Sequence, residues 1–187
     1  MIKIGKDTYH YHYDSILKAP IGLFQIIVDK QNEAKEDDAF QLLGDTVELI
    51  TDIPRDVVKI IPIKELVRIF KNGTETKFDK DAKIKNTFLG FEAVGNPSDY
   101  DDIDFNELQF SLIKKSQGKN IVPTIAAAVF VHNVMELENE PLMIQRKREF
   151  AKEMPLEVLL PYITKYMQTT FDITDENINV IKELAGS

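Results

Sequence analysis

Between Asn120 and Met167 the sequence holds two apolar runs, NIVPTIAAAVFVHNVMEL and EMPLEVLLPYITKYM, each opened by a proline and separated by a charged segment. A proline is tolerated in the first turn of a helix, where its missing N–H has no partner to lose. Pro123 and Pro155 therefore predict two helices. On the second, Leu156, Leu159, Leu160, Ile163 and Met167 recur at helical spacing, while Glu157, Pro161, Thr164, Lys165 and Gln168 fall opposite. That helix is expected to pack by one side, with Pro161 bending it over its neighbour. Ile125 to Val131 is apolar all round and carries three consecutive alanines, so it is expected to be a buried central helix.

The same punctuation recurs upstream. Pro20 opens a helix through Leu23, Phe24, Ile27 and Val28, and an acidic start at Glu36, Asp37 and Asp38 precedes another through Ala39, Phe40, Leu43, Val47 and Ile50. Pro54 starts a short helical turn and Pro62 starts the helix IKELVRIF. Ile2 to Tyr13 alternates and contains a Gly-Lys-Asp turn, which predicts a hairpin. After Lys71 an Asn-Gly turn signal at 72 and 73 precedes β-branched and aromatic residues at Thr76, Phe78, Ile84, Phe88 and Phe91. Asp104 with Glu107 predicts a capped helix from Phe105 to about Ser116. Pro141 opens a charged helix, expected on the surface, and Thr174 caps a last helix to about Leu184.

The fold expected is mainly α (α+β): a helical domain with a small β-element drawn from the N-terminus and residues about 74–94. It is read as one domain over 1–187, divided into a β-element at 1–15, a helical lobe at 20–71, a β and loop segment at 72–103 and a helical bundle at 104–187. With 43% hydrophobic and 29% charged residues the composition is that of a folding globular chain. The 31 acidic and 23 basic residues give a formal charge of −8, which opposes binding to nucleic acid or to anionic membranes. No cysteine is present, so thiol chemistry is excluded. The N-terminus lacks the apolar core of a signal peptide, and no apolar stretch is long enough to span a bilayer.

Motifs that carry chemistry are few. His10 and His12 have the spacing of metal ligands on a strand face, but His132 is the one remaining histidine, so no metal site is expected. The acidic loop Asp99, Asp101, Asp102 and Asp104 lacks the glycine and distal glutamate of a calcium loop and reads as a solvated loop. His132 and Glu136, four apart on the expected central helix, form the one candidate acid–base pair of an enzyme or regulator with an unrecognised site. No phosphate loop, nucleophile elbow or dinucleotide fingerprint occurs, and no cofactor is expected. Arg146, Lys147, Arg148 and Lys152 form a basic cluster diluted by Glu149 and Glu153, a pattern suited to protein contact more than to nucleic acid. Arg146, Arg148 and Lys152, with Tyr100, Asp101 and Asp102 in the preceding loop, are the candidate partner-binding residues.

The succession Ala19-Pro20-Ile21-Gly22-Leu23-Phe24, Leu42-Leu43, Ile53-Pro54-Arg55-Asp56-Val57-Val58, Ile61-Pro62-Ile63-Lys64-Glu65-Leu66 and Met154-Pro155-Leu156-Glu157-Val158-Leu159-Leu160 resembles small virion and assembly proteins of tailed phages. The crAss-like phages of gut Bacteroidetes and the tail-assembly-chaperone-like group share this order of elements. The resemblance implies a non-enzymatic virion structural protein, an auxiliary capsid or connector-associated component bound to other phage structural proteins. It would reside in the virion, and in the host cytoplasm during assembly. The alternative within the same family is an assembly chaperone absent from the mature particle. No catalytic residue is transferred by the resemblance.

Overall fold

A computed structural model describes residues 1–35, 38–75, 81, 83–116 and 119–171. The chain is mainly helical with two small antiparallel sheets. Strands β1 (Ile2–Ile4) and β2 (Asp7–Tyr9) form the predicted hairpin over a Gly5-Lys6 turn. The chain then runs beside the end of the second helix, where Tyr11 bridges Thr51 and His12 N–H donates to Ile50 O at 3.0 Å. Helices α1 (Ile21–Glu33), α2 (Ala39–Ile50), α3 (Arg55–Val58) and α4 (Ile63–Thr74) follow, with Pro20, Pro54 and Pro62 immediately before the first, third and fourth.

The Asn72-Gly73 pair does not form the expected turn. Both residues lie inside α4, because Gly73 faces Ile50 and Tyr11, where an added Cβ would fall 2.8 Å from the Tyr11 ring. The missing side chain is a packing requirement of the helix and not a turn signal. Thr76 and Phe78 lie outside the described residues. The β-segment appears as β3 (Thr87–Phe88) and β4 (Phe91–Ala93), joined by Leu89-Gly90 and separate from the N-terminal hairpin. Helix α5 (Glu107–Lys115) starts two residues later than expected. Asn106 caps it, since the Asn106 and Gln109 side chains bond reciprocally in a capping box, while Asp104 accepts only from Phe105 N–H.

The central helix α6 (Ile121–Val129) is buried as expected but stops before Phe130. Phe130 and Val131 form strand β5, the third strand beside β4, and Val134–Glu138 is a short 3-10 turn. An apolar, β-branched and aromatic pair suits either state, and pairing with β4 decides it. Helix α7 (Glu140–Glu153) is capped by Asn139 with Pro141 in its first turn, and α8 (Leu156–Phe171) contains Pro161. The predicted helix from 175 to 184 lies outside the described residues.

Two cores result. The smaller joins the hairpin to α2, α3 and α4 through Ile2, Val47, Ile53, Val58, Leu66 and Ile69. The larger surrounds α6 with Ile21, Tyr100, Phe105, Phe130, Phe150 and Leu159. Helix α1 packs on α6 and α7 as well as on α2. Its start is clasped to that of α8: Pro20 lies opposite Pro155, Ile21 N–H donates to Met154 O and Leu156 N–H to Ala19 O, each at 2.9 Å. On α8 the inward stripe holds Leu156, Val158, Leu159, Tyr162 and Tyr166, whereas Leu160 is half-exposed and Ile163 and Met167 pack at the margin. Burial pushes the Tyr162 hydroxyl's pKa upward, and that hydroxyl donates to Lys85 O at 3.2 Å.

Candidate functional site

A helix leaves unpaired N–H groups at one end and unpaired carbonyls at the other, and a helix buried at both ends must find partners for them. Helix α6 takes them from three buried polar side chains of its neighbours. Gln25 of α1 accepts from Val122 N–H at 2.9 Å, Gln109 of α5 donates to Ala128 O at 2.8 Å, and Arg146 of α7 donates to Ala127 O at 3.1 Å. A cation at the carbonyl end also suits the helix dipole.

Arg146 is thus not the surface residue that its charged helix suggests. It is 3% exposed, paired with the Glu136 carboxylate on the 3-10 turn, within 3.7 Å of Met143 Sδ and 5.0 Å from the Phe91 ring centre. Its Nε is the one buried side-chain polar atom among the described residues without a hydrogen-bond partner. Desolvation lowers its pKa, and Glu136 opposes that shift. Arg148 and Lys152 are exposed on α7 as expected. Tyr100 is buried, since its hydroxyl donates to Gln168 Oε1 of α8 at 2.6 Å and Lys165 sits over its ring. Asp101 and Asp102 are exposed, but Asp102 accepts from the Ser98 N–H and hydroxyl, which hold its carboxyl below the usual range. The six predicted contact residues therefore form no single surface. Arg146 and Tyr100 are internal, held against α6 and α8 respectively.

His132 and Glu136 do not share a helix face either, because the helix ends at Val129. Glu136 is committed to Arg146, and the His132 ring stacks on Phe91 with centroids 4.0 Å apart. His10 is held to Asp52, which accepts from its backbone N–H at 2.6 Å. Among the described residues no group of three or more His, Cys, Asp or Glu side chains is placed to hold a metal, and no helix is long and apolar enough to cross a membrane. An open cleft of about 180 Å³ between α1 and α2 is lined by Lys30, Glu33, Asp38, Gln41 and Asp45, with Lys30 paired to Asp45 at 2.8 Å.

The Arg146–Glu136 pair instead supports a surface that the sequence reading missed. Phe91 joins the β3–β4 hairpin to both His132 and Arg146, so the hairpin tip stands beside the 3-10 turn. A Cβ on Gly90 would lie 4.0 Å from the His132 ring. The tip is a two-residue loop with φ +50 at Leu89 and +83 at Gly90, a conformation that asparagine or glycine adopts at least cost. Leu89 is nevertheless there, 58% exposed, with Met135 71% exposed and Val134 also outside. The legible signal was a leucine before glycine between Phe88 and Phe91, where a turn residue belongs. No protein-family model, curated protein or solved structure matches the chain.

Proposed function

We propose that this chain acts by contact and not by chemistry, as a structural component of a tailed-phage particle of the auxiliary capsid or connector-associated kind. The observation that carries the contact reading is Leu89. A left-handed conformation costs a residue with a Cβ about 1–2 kcal/mol, and exposing a large apolar side chain at that position offers the folded monomer nothing in return. Strain and exposure together suit a residue that is covered in an assembly. Val134 and Met135 are exposed too, on the turn that follows the His132 on which Phe91 stacks, and the Arg146–Glu136 pair holds that turn in place. A contact patch presented on a rigid frame loses little freedom on binding. The phage assignment rests on the resemblance in order of elements.

Quantitative mass spectrometry of purified particles is the test. A fixed copy number is expected, with loss of incorporation in Leu89→Asp/Met135→Asp. Presence in infected cells with complete absence from particles would assign the chain to the assembly chaperones. Normal incorporation of the double variant would overturn the contact patch.

A further inference from the structure

The small lobe carries a second exposed apolar feature, of opposite charge. Between α3 and α4 the turn Lys59-Ile60-Ile61-Pro62-Ile63-Lys64 buries only Ile61. Ile60 is 79% exposed, more than the other large apolar residues described except Met1, and Ile63 is 54% exposed. Lys59 and Lys64 flank them, both exposed, and neither forms an ion pair with another described residue. The segment that carries Val134 and Met135 is acidic where that turn is basic. Glu138 and Glu140 follow Met135 closely, are exposed and have no ion-pair partner among the described residues, while Glu136 is already neutralised by Arg146.

One apolar surface edged by lysines and another edged by glutamates thus occur on one chain, on different lobes. Each supplies what the other lacks. We propose that the lysine-flanked turn of one copy docks on the glutamate-edged patch of a second copy, so that the chain associates head to tail. This rests on the contact reading above and names the partner as the protein itself. An interface that joins two different patches closes into a ring if the rotation per subunit permits and otherwise extends as a filament. The contact is small, so a single pairing is weak and dissociates on dilution. Its charged border makes it sensitive to salt.

Sedimentation velocity of the full chain over a wide concentration range tests the proposal. The parent is expected to associate as concentration rises, as a dimer if the two contacts close reciprocally and as larger species otherwise, and to dissociate when salt increases from about 0.1 to about 0.5 M. Ile60→Asp/Ile63→Asp and Leu89→Asp/Met135→Asp should each remain monomeric. Mixed in equal amounts they should form a one-to-one complex and go no further, because each retains one intact patch. Far-UV circular dichroism and melts close to the parent establish that both variants fold. A parent that is monomeric throughout would overturn the inference. So would a mixture that stays monomeric. Parent binding to vesicles of phosphatidylserine and phosphatidylcholine, lost in the Ile60/Ile63 variant and without self-association, would replace it with a membrane role for the turn. A monomeric parent whose Leu89/Met135 variant still fails to enter particles would leave the contact reading intact and refute self-association alone.

Discussion

Arg146 and Glu136, ten residues apart, form an ion pair that ties the middle of α7 to the turn after β5, with the arginine buried and the glutamate side chain 24% exposed. The pair is asymmetric in its access to water, and that asymmetry decides what each substitution does.

Glu136→Ala leaves a buried cation with only Ala127 O and Met143 Sδ as acceptors. Stranding a buried charge typically costs about 3–5 kcal/mol. Arg146→Met fills much of the same volume and frees Glu136 to turn toward solvent, so its cost should be nearer 1–3 kcal/mol, roughly that of the lost hydrogen bond. For a chain of this size each kcal/mol moves the melting temperature by about 2–4 °C. Thermal melts should rank Glu136→Ala below Arg146→Met, and the reverse order would contradict the assignment of the buried charge.

Leu89→Asn should stabilise the monomer by about 1 kcal/mol, since asparagine accepts the left-handed conformation that leucine resists. Urea unfolding gives the measurement. A destabilised Asn variant would mean that Leu89 packs within the monomer.

Leu159 and Leu160 are adjacent on α8 and should differ sharply. Leu159 is fully buried, so Leu159→Ala should cost about 2–5 kcal/mol. Leu160 is half-exposed, and Leu160→Ala should cost clearly less. Equal losses would show that the helix is rotated from the position described.

Asp52 accepts from the His10 backbone N–H, which holds its carboxyl below the usual carboxylate range. A group with a lowered folded pKa contributes stability above its unfolded pKa, and that contribution is lost as pH falls through the folded value. Denaturant midpoints of the parent should therefore fall in acid more than those of Asp52→Asn. Parallel acid profiles would show that this bond contributes nothing to folding.

Local chemistry made much of the helical framework legible. Pro20, Pro54, Pro62 and Pro141 each stand at or within a residue of a helix start, because ring geometry and a missing N–H act on the chain locally. What was not legible depends on distant partners. Phe130 and Val131 are as apolar as the alanines before them, and only β4 draws them out of the helix. Arg146 stands among Lys147, Arg148 and Glu149 and reads as solvated, yet the carbonyl end of α6 requires a donor there. Tyr100 reads as a loop aromatic, but its hydroxyl is taken by Gln168, far along the chain. On α8 aliphatic spacing alone points to Leu160, whereas Tyr162 and Tyr166, with apolar bodies and a polar tip, face inward.

The clasp of Pro20 against Pro155 also has a meaning in time. Ala19 and Ile21 are made well before Met154 and Leu156, and a long stretch of chain separates them. Until then the backbone groups at the start of α1 have no counterpart to receive them. The hairpin with α2, α3 and α4 needs nothing beyond Thr74 for its own core, and Ile27 of α1 already shares a cluster with Ile50 of α2, so it is only the start of α1 that still waits. The extra loop-closure entropy of so distant a pairing is modest, because that cost grows only with the logarithm of length, but contacts between remote segments slow folding. The clasp therefore makes the seating of the start of α1 a late step, reached after the small lobe has already had the opportunity to assemble.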